Sequence, residues 1–241
     1  MRAETRHQLK QDRFSKVTME AAEKTVDWSV EHKQKLTIAG IVLAAIVAAG
    51  IGGWYYLQQQ DVKASAEFSA AVRTLDTPLR PANMPPQPDQ PSFASAKERA
   101  TAAHKQFQEI EDKYPFTHAA DFAHYFLGLT SADMGDNATA ERELQKVAGY
   151  HNSDISSLAR FALASIYRNT NRSRQAIDLY NQLIAKPTTA VPKTSAQIEL
   201  AATYQSANQP LEAKRIYEQI QKENPTSQVA QLATQKLQQL K

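Results

Sequence analysis

The side chains that could act as acids, bases or metal ligands are scattered along the chain and form no catalytic motif. The sequence has no GxSxG nucleophile elbow, and no HExxH spacing occurs among its six histidines, which are His7, His32, His104, His118, His124 and His151. Asp121 and His124 lie three residues apart, a spacing that on a helix favours a surface ion pair over a metal site. Asp133 and Asp136 lie beside Gly135 without the calcium-loop ligand pattern, which indicates a turn between helices. The sequence therefore predicts no enzyme activity, no metal and no cofactor.

The composition excludes several further classes of site and fold. Cysteine is absent, which excludes disulfides, thiolate metal sites and a lipidated cysteine but leaves the redox compartment open. The formal net charge is only +3 and no basic stripe with interleaved aromatic residues occurs, so nucleic acid is not an expected partner. Because no catalytic motif is found, a small-molecule substrate is not expected either. Four of the seven glycines fall in one apolar run, which leaves too few for the turns of a sheet or for a phosphate-binding loop. These features predict an all-α protein.

An uncharged apolar stretch of 22 residues, Leu36 to Leu57, is long enough to cross a membrane. At about 1.5 Å per residue it matches a hydrocarbon core of about 30 Å, and Trp54, Tyr55 and Tyr56 close it like half of an aromatic belt. A buried core helix rarely contains so long an apolar run, and a cleaved signal peptide would have a shorter charged segment before it. We therefore expect an uncleaved transmembrane helix over residues 36–57.

The charges near this stretch predict its orientation. Lys33 and Lys35 adjoin its amino-terminal end, whereas Lys63 and Arg73 lie further from the other end. Because Lys and Arg favour the cytoplasmic side, residues 1–35 are expected to form a cytoplasmic arm, which is mildly amphipathic and helical. The remaining chain is then periplasmic, in a single-pass protein of the bacterial inner membrane.

Small residues recur every fourth position along the span, at Ala45, Ala49 and Gly53. Such a face lets two helices approach closely, which favours packing against another membrane helix. The alternative is that alanine and glycine are simply common in membrane helices. Both interpretations remain open from the sequence.

Three segments follow the span. Residues 58–76 combine helix formers with an apolar stripe, which predicts a helix leading out of the membrane. Residues 77–91 hold six of the eleven prolines and predict an extended, exposed connector. Residues 92–241 show the pattern of paired helices. Their last helix, within residues 227–240, is expected to close the stack with one apolar face formed by Val229, Leu232, Ala233, Leu237 and Leu240.

Small residues also recur at a fixed spacing within residues 92–241. Gly128, Ala164 and Ala201 are each followed twelve positions later by an alanine, namely Ala140, Ala176 and Ala213. Two small residues that face each other let two helices cross closely, while large apolar neighbours fill the space to the next pair. One helix pair cannot bury its own apolar face, so the pattern predicts a stack of at least three pairs.

This spacing resembles the tetratricopeptide repeat, whose pattern places Leu-Gly, Tyr, Ala, an aromatic residue and proline over 34 residues. The resemblance covers about residues 121–225 in three divergent copies, in which the first Trp of the pattern is missing and Ser131 replaces a Tyr. A partial copy precedes them: residues 103–115 match a second helix, and its first helix would be 61–76. The resemblance implies an α-solenoid of about three and a half divergent repeats, which follows the single transmembrane helix expected over residues 36–57.

In such stacks the first helix of each pair lines a concave groove. By position, the resemblance implies a protein-binding groove formed by Phe122, Tyr125, Leu129, Phe161, Ser165, Arg168, Asn169, Ile198, Ala202 and Gln205. Tyr125, Phe161 and Ile198 replace the Lys and Asn of the carboxylate-clamp subclass, so an apolar partner segment is expected instead of an acidic tail. The alternative is that the amino-terminal helix of the stack folds into the groove and occupies it.

The layout as a whole resembles the membrane-anchored ancillary subunit of the bacterial SecY translocon and its cell-division coordinator relatives. This resemblance implies a scaffold in protein export or envelope assembly, with translocon subunits, exported clients or periplasmic chaperones as partners. A structural coordinator of a cell-division or outer-membrane assembly complex is the alternative, and a regulatory subunit of an enzyme is a third hypothesis. Fold alone does not decide among them.

Overall fold

The computed structural model describes residues 32–81, 84–85, 91–223 and 225–239. Within these ranges the chain forms nine α-helices and no strand, apart from one isolated bridge between Leu79 and Phe93. The chain divides into two compact units, Met1–Gln58 and Gln59–Lys241. The predicted cytoplasmic arm lies almost entirely outside the described residues.

The helices follow one another with short connections after the first. They are α1 (Lys33–Asp76), α2 (Ala96–Lys113), α3 (His118–Asp133), α4 (Asn137–Ala148), α5 (Ser153–Asn169), α6 (Ser173–Ala185), α7 (Lys193–Ser206), α8 (Pro210–Glu223) and α9 (Gln228–Gln239). Several begin at a side-chain cap. Ser95, Asp136 and Asn152 each accept a hydrogen bond from a backbone N–H of the first turn, which satisfies a donor that the helix itself leaves unpaired.

The first unit contains the apolar part of α1. The most apolar 18-residue window of this helix has a mean hydropathy of 2.3 and is 0% buried. Among the described residues it is the one helix long and apolar enough to cross a membrane, a property that a signal sequence shares. A Cβ added at Gly53 would meet nothing within 4 Å. The predicted packing face at Ala45, Ala49 and Gly53 is therefore exposed, and its packing against another membrane helix stays a prediction.

The second unit is a stack of helix pairs. Residues 59–76 of α1 pair with α2, and the pairs α3–α4, α5–α6 and α7–α8 follow as repeats one, two and three. Helix α9 packs against α8 and closes the described stack. From α2 onward each helix contacts the next, and the first helices of successive repeats also contact one another, α3 with α5 and α5 with α7. This is the arrangement of the predicted all-α solenoid.

Small residues mark the crossing inside each repeat, as the spacing predicted. In repeat one, a Cβ added at Gly128 would lie 2.6 Å from Leu144 Cγ, so only glycine fits without a shift of that side chain. In repeats two and three the crossing residues are all alanines with 0% exposure: Ala164, Ala176, Ala201 and Ala213. The repeated spacing of small residues therefore corresponds to the positions where the two helices of each repeat cross.

The turn within each repeat contains one residue in the left-handed region. These residues are Gly135 (φ 88°), Asn171 (φ 60°) and Asn208 (φ 58°), each seven positions after the small residue of its crossing. Glycine and asparagine tolerate this conformation best. The residue after each of them donates its backbone N–H to the carbonyl five positions earlier, at 2.8–2.9 Å, which ends the first helix. The turn predicted beside Gly135 is confirmed.

The partial repeat is completed across the proline-rich connector. Phe68 of α1 lies with its ring centroid 5.6 Å from that of Phe107 in α2, within a cluster that also buries Ala64, Ala71 and Ala103. The two ends of the connector meet, because Arg80 donates its backbone N–H to the Phe93 carbonyl at 2.9 Å. The two ends of the connector therefore lie side by side, and α2 can pack against α1. Residues 82–83 and 86–90 lie outside the described residues.

The closing helix differs from the prediction in which side chains it buries. Ala230 and Ala233 of α9 are buried, whereas Leu232 is 39% exposed. Successive helical residues point about 100° apart, so the narrow alanine face that contacts α8 turns Leu232 away from it. Leu232 therefore lies at the exposed edge of the predicted apolar face, beside Val229 in the lining of one cavity, and Leu240 lies outside the described residues.

Candidate functional site

The ten predicted groove residues lie on the first helices α3, α5 and α7, and none of them is fully buried. Phe122 is 37% exposed and Asn169 is also exposed. The other eight are half-buried: Tyr125, Leu129, Phe161, Ser165, Arg168, Ile198, Ala202 and Gln205. Side chains that are partly exposed and partly packed can offer apolar surface to a partner while their packed atoms hold them in place. We name these ten residues the groove.

Two groove residues from different repeats line one cavity. Phe161 of α5 and Ile198 of α7 border a space of about 360 Å³. Leu232 and Val229 of α9 form another wall. The remaining lining residues are polar: Thr194, Ser195 and Glu199. The cavity is thus lined by four apolar and three polar side chains, a mixture that is usual for sites that hold an apolar group.

The other end of the groove is aromatic. The Phe122 ring lies 6.1 Å from that of Phe68, and Phe68 lies 5.5 Å from Phe126. Tyr125 is packed against the core of repeats one and two, and burial raises the pKa of its hydroxyl. These rings make the end of the groove near α1 predominantly aromatic.

One register explains the apolar character of this face. Tyr125, Phe161 and Ile198 each lie three positions before the small residue of their crossing, and Phe68 lies three positions before Ala71. We name Phe68, Tyr125, Phe161 and Ile198 the apolar column. Phe68 could have been predicted from this register. Leu232 and Glu199 could not, because their place depends on how neighbouring pairs stack.

An ion pair crosses the groove between repeats two and three. The guanidinium of Arg168 on α5 donates to the Glu199 carboxylate Oε2 on α7. The two side chains are 22% and 31% exposed. Arg168 was predicted as a groove residue, whereas Glu199 was not. The only basic side chain among the groove residues is therefore already neutralised by a neighbour.

The tyrosines beneath the groove differ between repeats two and three. Tyr217 of α8 is buried, and its hydroxyl donates to Gln205 Oε1 at 3.0 Å. Tyr180 of α6 occupies the equivalent position, 37 residues earlier, and its buried hydroxyl has no hydrogen-bond partner among the described residues. The residue equivalent to Gln205 is Arg168, which cannot accept a hydrogen bond. Burial raises the pKa of the Tyr180 hydroxyl, so it stays protonated as an unused donor.

The polar residues first considered for chemistry do not converge on a metal site. His124 Nε2 lies 3.6 Å from Glu111 Oε1 of α2, so its carboxylate neighbour among the described residues is Glu111 and the predicted pairing with Asp121 is wrong. The helices α2 and α3 are antiparallel neighbours, which brings Glu111 closer than the residue three positions away. Within the described ranges, no group of three or more His, Cys, Asp or Glu side chains could hold a metal ion.

Comparisons with known proteins support the repeat architecture. The model of the family described as "Tetratricopeptide repeat-like domain" matches residues 27–187, and that described as "Tetratricopeptide repeat" matches residues 195–227. A crystal structure of nearly identical TPR-like repeats of a putative kinesin light chain from Podosopora anserina is similar in fold, with a TM-score of 0.57 and 14% identity. The match covers 74% of this chain and 85% of the kinesin light chain structure. A crystal structure of a point variant of the same repeats gives a TM-score of 0.56, 14% identity and coverage of 74% and 84%.

A comparison with curated proteins gives no significant match. The likeness to the kinesin light chain repeats concerns the fold alone, because the identity is 14%. The match over residues 27–187, with the small crossings and left-handed turns, shows the family. This chain belongs to the tetratricopeptide repeat-like domain family.

Proposed function

We propose that this protein is a membrane-anchored scaffold that assists protein export or envelope assembly at the bacterial inner membrane, through its apolar groove. Tetratricopeptide repeat domains are generally protein–protein interaction scaffolds and are typically non-catalytic. The observation that carries the proposal is the cavity between Phe161, Ile198 and Leu232, which offers apolar walls to a partner. An extended or helical segment with large apolar side chains fits such a surface.

The apolar part of α1 supports the anchor in this proposal. Its most apolar window is 0% buried, and Trp54, Tyr55 and Tyr56 are 61–65% exposed. Aromatic side chains of this kind are favoured at a membrane interface. The family match begins at residue 27 and so includes this helix, which favours an anchor that stays with the repeats over a signal sequence that is removed.

The anchor explains why a modest groove would suffice. A groove held at the membrane meets segments that emerge there at a high effective concentration, so weak contacts give useful occupancy. The proposed partners are translocon subunits, exported clients or periplasmic chaperones. The repeat domain would face the periplasm, with residues 1–35 in the cytoplasm.

Photo-crosslinking in native membranes tests the proposed function. A photoreactive amino acid is placed at Phe122 or Leu232, which are 37% and 39% exposed at the two ends of the groove. The matched control is Leu211, which is 73% exposed on the second helix α8. Adducts with translocon subunits or exported chains at Phe122 and Leu232, and none at Leu211, would support the proposal.

Other adducts would contradict parts of it. A single fixed envelope partner would replace export with the role of a cell-division or outer-membrane assembly coordinator. Adducts only within the chain itself would mean that the groove is occupied by its own helices. Protease digestion of spheroplasts tests the topology separately, because the proposed orientation exposes the repeats to external protease and protects residues 1–35.

A further inference from the structure

One ionisable side chain lines the cavity, and the cation that pairs with it is not among the described lining residues. Of its described lining residues only Glu199 is ionisable, and the other polar ones are the hydroxyl residues Thr194 and Ser195. The carboxylate uses Oε2 to accept from Arg168, and no hydrogen bond to Oε1 is found among the described residues. A segment that enters the cavity would therefore meet the carboxylate end of the ion pair, with Oε1 as an unused acceptor.

The ion pair has a structural origin in the mismatch of repeats two and three. Gln205 in repeat three accepts from Tyr217, so it stays within its own repeat. Arg168 cannot accept from Tyr180 and donates across to Glu199 instead. Glu199 thus occupies the position at Arg168 that the carboxylate of an acidic ligand would take, since carboxylates are the preferred partners of guanidinium groups.

We infer that Glu199 is the specificity-determining residue of the groove: it occupies Arg168 and rejects acidic partners, so the cavity takes a bulky apolar side chain from an extended protein segment with uncharged or basic neighbours. This inference rests on the proposed protein-binding function and adds the chemistry of the partner. The cavity of about 360 Å³ has room for one or two large side chains among Phe161, Ile198 and Leu232. Positively charged or N–H-bearing neighbours complement Glu199 Oε1, whereas a carboxylate is repelled by it.

Two fluorescent peptides test the inference with the full chain in detergent micelles. Both carry the same Leu-Phe-Val core, flanked in one by Lys and in the other by Asp. Fluorescence anisotropy gives Kd for each. The wild-type protein should bind the Lys-flanked peptide about tenfold more tightly than the Asp-flanked one.

Two variants should change this ratio in opposite directions. Glu199→Gln removes the carboxylate and frees Arg168, so the Asp-flanked peptide should gain about tenfold and the preference should vanish or reverse. Arg168→Gln leaves Glu199 without its cation, so the preference for Lys should increase. Glu212→Gln is the matched control: Glu212 pairs with Arg215 at 3.0 Å on the exposed face of α8 and should leave the ratio unchanged.

The outcomes separate this inference from the proposed function. Equal binding of both peptides by the wild type, or an unchanged ratio in Glu199→Gln and Arg168→Gln, would overturn the charge preference and leave the groove as a binding site. Failure of the wild type to bind either peptide would contradict the proposed groove and the inference with it. Circular dichroism verifies that each variant is folded. If one variant fails to fold, the opposite prediction for the other still decides the matter.

Discussion

Repeats two and three share one internal framework but differ where they meet the groove. Both cross at a pair of fully buried alanines, and both turn through a left-handed asparagine, Asn171 at φ 60° and Asn208 at φ 58°. The buried tyrosine of repeat three donates to Gln205, whereas the hydroxyl of that in repeat two finds no partner in the described part of the chain. Close crossings and turns fix the backbone, so the residues on the first helix can change without changing the fold.

The unpaired hydroxyl of Tyr180 lowers the stability of repeat two. A buried hydroxyl without a partner costs about 1–3 kcal/mol, and repeat two carries this cost at Tyr180. Arg168, which does not bond to Tyr180, instead forms an ion pair with Glu199 on the next repeat. Repeat three satisfies its tyrosine locally, and Gln205 is held within the repeat. Repeat two therefore has the less stable interior and contributes the more polar wall of the groove.

Removal of the whole ring should erase the difference between the two repeats. Tyr180→Ala and Tyr217→Ala each leave a large cavity, because both side chains are at most 1% exposed. Each should lower the free energy of unfolding by about 3–5 kcal/mol. Hydrogen exchange of the amides in α6 and α8 measures the local loss. A cost several-fold smaller at one site would contradict the shared framework.

Removal of the hydroxyl alone should expose the difference. Tyr217→Phe loses the hydrogen bond to Gln205 and should destabilise repeat three by about 1 kcal/mol. Tyr180→Phe removes an unpaired buried group and should leave repeat two unchanged or more stable. The same exchange measurement, run on both variants beside the wild type, compares them directly. Equal destabilisation would mean that the Tyr180 hydroxyl has an acceptor after all.

Acid should weaken repeat three through a smaller effect at its end. Glu223 accepts from Gln219 Nε2 at 2.8 Å and from Lys193 Nζ at 2.9 Å, and these contacts hold the pKa of its carboxyl below the ordinary value. The equivalent position in repeat two is Lys186. Because the folded pKa lies below the unfolded one, the stabilisation is complete above the unfolded value of about 4.3 and is lost as pH falls through the folded value.

This pH effect is checked by hydrogen exchange of α7 and α8 across the acid range. Glu223→Gln should remove the part of the acid sensitivity that belongs to this contact. Glu218→Gln is the control, because Glu218 is 53% exposed and lies 3.7 Å from Lys214. An identical acid response of wild type and Glu223→Gln would show that the contact contributes nothing measurable.

The sequence was sufficient for features that repeat and insufficient for those that depend on stacking. The crossing at Gly128 and the turn beside Gly135 follow from the sequence, because each is set within one helix pair. The Arg168–Glu199 pair joins residues 31 positions apart on different repeats. Its formation depends on the rotation from one repeat to the next, which sequence spacing does not give.

The groove shows the same limit. Phe68 could have been added to the apolar column from its distance to Ala71, but the proline-rich connector obscured that register. Leu232 belongs to a helix without the paired small crossing, so its orientation was not set by the repeat. Its 39% exposure beside Phe161 and Ile198 emerged only from the packing of α9 on α8.

A matched pair of charge substitutions tests the central claim, that the apolar groove binds partner proteins. Leu232→Asp puts a carboxylate on the cavity wall, and Leu211→Asp puts one on an equally apolar exposed site of α8. Photo-crosslinking from Phe122 in native membranes measures the yield of partner adducts in each background. We predict that Leu232→Asp reduces the yield about tenfold or more and that Leu211→Asp leaves it unchanged. Equal yields in both variants would contradict the account of the groove as the binding surface.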